Sequence, residues 1–210
     1  NLNKTINYSS YKYIGFGSSE FNFKRKYNNL VDVKDEIFFS GNKFKNSKGY
    51  IDKEFKENLV KELDLSNSIV HFATHNDFIS INDDDLVPAL LTYGPSQYDD
   101  GYLDVYEISN LNLENSLIVL SAGETSKSIK EDFDSFSGLV KSLKIAGAND
   151  VVATRWIIES TSAQYFIETY FQNISRGKSS SVSILEAKKS LIESNEYNHP
   201  FFWGGYFNVN

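Results

Sequence analysis

The strongest constraint on the fold is the alternation of short apolar runs with segments of helical spacing. Residues 68–74 (SIVHFAT) and 117–121 (LIVLS) are apolar runs of strand length bounded by polar residues, as expected of buried strands. Residues 135–145 and 162–174 carry apolar side chains three and four positions apart, as helices do. Strands that alternate with helices need crossover connections. The pattern therefore predicts an α/β fold with a mostly parallel sheet and helices on both faces.

The same patterns predict the remaining elements. Turn residues or apolar alternation predict further strands at 11–16, 86–93, 150–153 and 203–209. Apolar spacing predicts further helices at 32–39, 52–63, 105–111 and 183–192. Asp52 is expected to cap the second of these helices, and Ser183 with Glu186 is expected to form a capping box at the start of the last. The polar segments 20–30 and 76–85 are predicted to be loops.

Length and charge limit the classes of protein. A chain of 210 residues suits a single domain, here spanning 1–210, with a ragged polar segment at 1–10. The net charge of −7 argues against nucleic acid or an anionic membrane as partner, because both need a positive field. The basic cluster 24–26 is interpreted as a solvated loop, and no run approaches the ~18 apolar residues of a membrane span.

The chain contains no cysteine, which rules out disulfides and thiolate–metal sites. We predict no metal and no cofactor, and a cytoplasmic location. Because the chain does not begin with methionine, we expect it to be a segment of a longer protein.

Two predicted strands end in polar or small residues of chemical interest. One is followed by His75 and Asn76, the other by Ala122, Gly123 and Glu124. Since the working site of such sheets lies beyond the carboxyl ends of the strands, His75 and position 123 are expected side by side if the strands are parallel neighbours. A histidine there can act as general base to a nucleophile, or it can be a satisfied or solvated side chain.

The other two histidines are predicted to be structural. His71 points to the same face as His75 but deeper, in the core, and His199 precedes a proline in a turn. Other chemistries find little support: Gly15 and Gly17 lack the third glycine of a phosphate loop, and no Gly-x-Ser-x-Gly elbow is present. The Asp run 83–85 can be interpreted as a cation site or as a solvated loop.

The motifs "IVHFATH" and "LIVLSAGET" together resemble the caspase-like CHAT peptidase family, whose motifs read HFATHG and LSACET or LSACNT. The resemblance continues through residues 99–108, 136–156 and 199–209, covers 68–210 well and covers 11–67 more loosely. It implies a three-layer caspase-like α/β fold, a mostly parallel sheet flanked by helices on both faces, and the activity of a cysteine endopeptidase.

The resemblance also implies roles for individual residues. His75 matches the catalytic histidine, and Gly123 falls where the family has its nucleophilic cysteine. The backbone near Asn76 is expected to stabilise the oxyanion, although the family usually has glycine there. The substrate cleft is expected between the strands that end at His75, Gly123 and Ala153. Further residues expected to line this cleft are Glu124, Arg155 and Trp156.

These cleft candidates carry alternatives. Arg155 could favour an acidic substrate residue and Glu124 a basic one, while Trp156 can equally be a packing residue.

Glycine at 123 is the main departure from the family pattern, because glycine cannot attack a carbonyl. The nearby hydroxyls of Ser121, Thr125 and Ser126 are poor replacements, since a thiol ionises more easily. Two explanations stay open: an engineered knock-out, or a natural pseudo-peptidase that binds a protein or regulates a neighbouring domain. The expected partners are a protein or peptide substrate, an upstream helical-repeat region, or a regulatory protein.

Overall fold

The computed structural model describes residues 6–21, 27–82, 85–122 and 129–210. The strands are β1 (Lys12–Gly17), β2 (Ser47–Ile51), β3 (Ser68–Thr74), β4 (Asn76–Asn82), β5 (Asp85–Leu91), β6 (Tyr102–Asp104), β7 (Leu117–Ala122), β8 (Asp150–Thr154) and β9 (Tyr206–Val209). The α-helices are α1 (Val33–Gly41), α2 (Glu57–Glu62), α3 (Val105–Ser109), α4 (Ile129–Ile145), α5 (Ser160–Ser175), α6 (Ser180–Ile192) and α7 (Pro200–Trp203).

A six-stranded sheet in the order β2-β1-β3-β7-β8-β9 forms the middle layer. Its first four neighbouring pairs are parallel and only β8 and β9 run antiparallel. The central strands β3 and β7 are buried on both faces, which explains their continuous apolar sequences. Their carboxyl ends meet at one edge of the sheet.

Helices cover both faces and each face has its own apolar core. One core joins the sheet to α1, α5 and α6 through side chains such as Ile37, Phe166 and Leu191. The other joins it to α2, α3 and α4 through side chains such as Val60, Ile108 and Leu139. The predicted three-layer α/β architecture, with a mostly parallel sheet between helices, is thus confirmed.

A second, three-stranded antiparallel sheet, β4-β5-β6, lies next to the end of β3. Here the prediction of a loop over 76–85 was wrong, because Asn76–Asn82 forms β4. Only the short segment 79–82 (ISIN) alternates in polarity, and the strand is stabilised by pairing with β5 rather than by local propensity. Of the Asp run predicted as a loop, Asp83 and Asp84 lie outside the described residues, as do Lys24–Lys26.

Several predicted boundaries differ from the structure because distant contacts replace local caps. Asp52 does not cap a helix over 52–63; its carboxylate accepts hydrogen bonds from the backbone N–H and hydroxyl of Ser19. A short 3-10 turn, Asp52–Glu54, precedes the separate helix α2. The helix α6 begins one turn before the predicted capping box, with Ser179 as its cap, because Ser183 is fully buried.

Two further differences concern the edges of the fold. The predicted final strand 203–209 begins only at Tyr206, because residues 200–203 form α7. The edge strand β2 was not predicted, since its sequence SKGYI has neither alternation nor an apolar run.

Tyr8, within the segment expected to be ragged, is fully buried, and its hydroxyl donates a hydrogen bond to Asp150. Within the described parts of the chain, no helix is long and apolar enough to cross a membrane.

Candidate functional site

The register of β3 and β7 places the carboxyl ends of the two strands together. The strands are parallel neighbours, and their final registered pair is Thr74 with Ala122. His75 follows directly on the first strand and position 123 on the second. Gly123 and Glu124 themselves lie outside the described residues, as do Thr125 and Ser126. The site is therefore described from its His75 side and from the strands beneath it.

His75 is held in one orientation by the segment that follows β1. Its side chain is 1% exposed, and its Nε2 lies 2.8 Å from the carbonyl oxygen of Asn28. Because a carbonyl oxygen only accepts hydrogen bonds, Nε2 is the donor and Nδ1 of the neutral imidazole carries no proton. Nδ1 is also buried and has no hydrogen-bond partner among the described residues. His75 thus presents an unoccupied proton acceptor, as a general base requires.

Aromatic rings pack against the His75 imidazole. The ring centroid of Phe21 lies 4.6 Å away and that of Tyr27 5.7 Å away, the latter nearly parallel. Tyr27 also donates a hydrogen bond to the buried Asp77. Burial, with the adjacent Asp77 carboxylate, raises the pKa of Tyr27 well above its usual range, so that its hydroxyl stays a donor. These contacts restrict the imidazole to the ring orientation that the Asn28 carbonyl selects.

Asn76 lies at the start of β4 and is 8% exposed. Residues of any type can adopt the strand conformation at this position, and Asn76 is not among the residues with positive φ. The backbone at position 76 therefore does not need the glycine that the family usually has there. The backbone N–H of Leu91 donates to the carbonyl of His75, which joins this turn to β5. The role of Asn76 in oxyanion stabilisation stays a prediction.

A pocket opens at the carboxyl edge of the sheet, on the face covered by α1 and α5. It offers about 70 Å³ of free space, several times what one water molecule needs. Residues of six elements and their connections line it: Leu30, Val31, Asp32, Val33, Glu36, Ala73, Ser121, Thr154, Ile158, Ser160, Ala163, Gln164 and Tyr206. Ala73 lies near the carboxyl end of β3 and Ser121 near the carboxyl end of β7. The pocket thus lies at the edge of the sheet where these two neighbouring strands end.

A chain of buried polar groups connects this pocket to the core. His71 is 0% exposed, which confirms the prediction of a core histidine. Its Nδ1 lies 2.8 Å from the Tyr13 hydroxyl, and burial together with the charge of Glu36 raises the pKa of Tyr13 well above its usual range. The tyrosine therefore donates, and the proton of a neutral His71 is on Nε2. That atom lies 2.9 Å from Oε1 of Glu36, although the pair does not meet the geometry of a hydrogen bond.

Tyr206 lines the opposite wall of the pocket. It is 4% exposed, and its ring stacks on Phe166 with centroids 3.4 Å apart. Burial, reinforced by the negative charges of Glu36 and Glu159, raises the pKa of Tyr206 well above its usual range. Its hydroxyl thus stays protonated beside a pocket whose nearest charges are negative.

The structure places Arg155 and Trp156 away from the described pocket lining. The guanidinium of Arg155 lies 5.3 Å from the centre of the Phe207 ring. Trp156 donates from Nε1 to the carbonyl of Phe201, 2.9 Å away, and its indole covers Gly205, where an added Cβ would lie 3.0 Å from Cε2. Trp156 thus makes packing contacts, and neither residue is among those that line the pocket. A place for Arg155 or Trp156 in the substrate cleft stays a prediction.

Three residues of this site were missed by sequence reasoning: Asn28, Glu36 and Tyr206. Asn28 acts through its backbone carbonyl, for which any residue type would serve, so the sequence carried no signal. Glu36 was available as an acidic residue on the predicted helix 32–39, and Tyr206 as an aromatic residue on the predicted final strand. Nothing local indicated that either faces the strand ends. Within the described ranges, no group of three His, Cys, Asp or Glu side chains could hold a metal ion.

Comparison with known proteins agrees with the motifs. The family model described as "CHAT domain" matches residues 14–209. Tetratricopeptide repeat protein 28 of Homo sapiens is 27% identical over 104 residues, and its Mus musculus counterpart is 25% identical over 104 residues. Each alignment covers 50% of this chain and 4% of the relative, so the similarity concerns a small part of those proteins. The crystal structure of protein GSU0716 from Geobacter sulfurreducens superposes with a TM-score of 0.49 and 7% identity, over 86% of this chain and 89% of that one.

Proposed function

Because this chain belongs to the CHAT domain family, we propose that it carries the substrate-binding edge of a caspase-like cysteine endopeptidase and, with glycine at 123, binds a polypeptide there without cleaving it. The observation that carries the proposal is the state of His75. Its Nε2 is fixed by the Asn28 carbonyl and its Nδ1 is without a partner among the described residues. Buried polar groups are usually paired, and even the core histidine His71 has Tyr13 beside one ring nitrogen and the Glu36 carboxylate beside the other.

The chemistry that this arrangement serves needs a thiol at 123. The thiol proton would pass to Nδ1 of His75, and the thiolate would attack the scissile carbonyl carbon, forming a C–S bond and an oxyanion. Backbone N–H groups near Asn76 would stabilise that oxyanion. Collapse of the intermediate would break the C–N bond as His75 returns the proton to the leaving amine. Water would then release the acyl group and restore the thiol.

The chain as it stands lacks this nucleophile. Ser121 is a lining residue of the pocket, two positions before 123, and a serine hydroxyl ionises far less readily than a thiol. Binding of a polypeptide does not need the nucleophile, since the pocket and the fixed His75 are present without it.

A second candidate function is regulatory binding of a protein partner, as a pseudo-peptidase. The observation that favours it is glycine at the nucleophile position, together with the similarity to tetratricopeptide repeat proteins. In this proposal the bound polypeptide belongs to a helical-repeat region or to a regulatory protein, and release rather than cleavage ends the interaction.

The test installs the missing group. Gly123→Cys is incubated with a peptide library, and cleavage is followed by mass spectrometry. We expect cleavage by this variant, none by Gly123→Ala, and none by Gly123→Cys combined with His75→Ala. Circular dichroism confirms that each variant is folded. A folded Gly123→Cys protein that cleaves no peptide would contradict the peptidase scaffold and leave the regulatory binding role as the better account.

A further inference from the structure

We propose that the pocket lined by Glu36, Ser121 and Tyr206 receives a positively charged side chain, lysine or arginine, of the bound polypeptide. The inference rests on the proposed function and adds the substrate class. In the peptidase form of the site, this side chain would belong to the residue whose carbonyl lies between His75 and position 123. Glu36 is then the residue that determines specificity.

The position of the pocket supports this reading. Ala73 and Ser121 line it and each stands two residues before the reacting positions, which corresponds to a depth of roughly 7 Å at the rise of a strand. Long, unbranched side chains such as lysine and arginine extend over about that distance. A short side chain entering from the sheet edge would leave the Glu36 end of the pocket unfilled.

The charge of the pocket lining favours a positively charged ligand. Asp32 and Glu36 line the pocket, and no lysine, arginine or histidine is among the described residues that do so. Glu159, which caps α5 between the lining residues Ile158 and Ser160, adds a third carboxylate near the pocket. A cation entering here would be paired, whereas an aspartate or glutamate would add a like charge in a partly buried site, which is unfavourable.

One buried polar atom at this wall is left without a hydrogen bond. Oε1 of Glu36 is buried without a hydrogen-bond partner in the described chain, although the His71 ring beneath it lies within 2.9 Å. Buried polar groups are normally paired, so this carboxylate oxygen points to a ligand that donates hydrogen bonds and carries positive charge. An ammonium or guanidinium group meets that description.

The walls that carry these groups are rigid. Tyr206 is fixed by its stacking on Phe166 and by the pairing of β9 with β8. Glu36 lies on α1, whose Ile37 is buried against β1, and His71 with Tyr13 supports it from the core. His71 is therefore a positioning residue for Glu36 and does not itself touch the ligand.

The first experiment uses Gly123→Cys protein and peptides that differ only at the residue before the cleaved bond: arginine, lysine, leucine, alanine or aspartate. We expect kcat/KM for the two basic peptides to exceed that for the others by at least about tenfold. Adding Glu36→Gln should lower kcat/KM for the basic peptides by at least about tenfold. It should leave kcat/KM for the leucine peptide nearly unchanged. The matched control is Asp35→Asn, which removes a carboxylate from the exposed side of the same helix and should change neither. Preference for an apolar or acidic residue would overturn the inference and leave the proposed function intact.

A second experiment separates the two proposals if Gly123→Cys cleaves nothing. Agmatine, which carries a guanidinium group, is titrated into the unmodified chain. The neutral analogue of agmatine is titrated into a parallel sample as control. Binding is followed by the NMR chemical shifts of residues in α1 and β9. We expect agmatine alone to bind, and Glu36→Gln but not Asp35→Asn to weaken binding by at least about tenfold. The inference would be overturned if agmatine did not bind at millimolar concentration, or if Glu36→Gln left its binding unchanged.

Discussion

Nε2 of His75 lies 2.8 Å from the carbonyl oxygen of Asn28, 47 positions earlier in the chain. The contact joins the segment after β1 to the end of β3 and determines which ring nitrogen is free. The nitrogen of His75 that can accept a proton is therefore determined by the tertiary structure and not by the local sequence.

The first prediction concerns this tautomer. In the neutral state, His75 should carry its proton on Nε2 and have a bare Nδ1, because the Asn28 carbonyl accepts only from a protonated nitrogen. Long-range ¹⁵N–¹H correlation spectra distinguish the two tautomers, and His75→Ala identifies which of the three imidazole signals belongs to this residue. A proton on Nδ1 would show that the Asn28 contact does not form in solution.

The second prediction concerns Glu57, at the start of α2. It is 3% exposed, its Oε1 lies 2.5 Å from Lys61 Nζ, and its Oε2 is buried without a hydrogen-bond partner among the described residues. Burial, aided by the charge of Glu107, outweighs the Lys61 ammonium and raises the pKa of Glu57 from 4.5 to about 7. The folded state therefore holds the Glu57 proton more tightly than the unfolded state does.

The sign of the pH effect follows from that difference. The stability supplied by protonation of Glu57 is present below about pH 4.5 and is lost as the pH rises to about 7. Glu57→Gln does not lose stability in this way, because its side chain does not titrate. The free energy of unfolding of Glu57→Gln minus that of the unmodified protein should therefore increase by roughly 1 to 3 kcal/mol from pH 5 to pH 8. Urea unfolding at both pH values measures it, with Glu62→Gln on the exposed side of the same helix as control. An equal difference at both pH values would refute the assignment.

The third prediction concerns the anchoring of the amino-terminal segment. The Tyr8 hydroxyl lies 2.5 Å from one oxygen of the buried Asp150, and Asn208 Nδ2 lies 2.6 Å from the other. Tyr8→Phe should lower the free energy of unfolding by about 1 to 3 kcal/mol, because it leaves a buried carboxylate with one donor fewer. Thermal unfolding measures the loss, and Tyr11→Phe, the neighbouring ring, serves as control. Equal stabilities of the two variants would argue against the Tyr8–Asp150 bond.

The fourth prediction concerns the packing of Trp156 on Gly205. A Cβ at 205 would lie 3.0 Å from Cε2 of the indole, so Gly205→Ala should destabilise the fold by about 1 to 3 kcal/mol. Combining it with Trp156→Leu should cost less than the sum of the two single changes, because the smaller side chain removes the clash. Additive effects in urea unfolding would show that the two residues do not touch.

The parts of the fold that could be predicted are those encoded by burial alone. The strands β3 and β7 are buried on both faces, so each is a continuous apolar run, and the long helix α5 repeats apolar residues at helical spacing. The strands β2 and β4 escaped prediction because they lie at sheet edges, where pairing with a neighbour rather than side-chain pattern stabilises them.

The sequence by itself determined the α/β class, the two central strands and the positions that follow them, His75 and 123, because a strand's face and its end can be counted along the chain. Only the tertiary structure decided what surrounds those positions. Asn28, Glu36 and Tyr206 reach the same edge from the connection after β1, from α1 and from β9, and their meeting depends on crossover connections and sheet register. No local spacing records such contacts, since each joins residues that are distant in sequence and near only after the layers have packed.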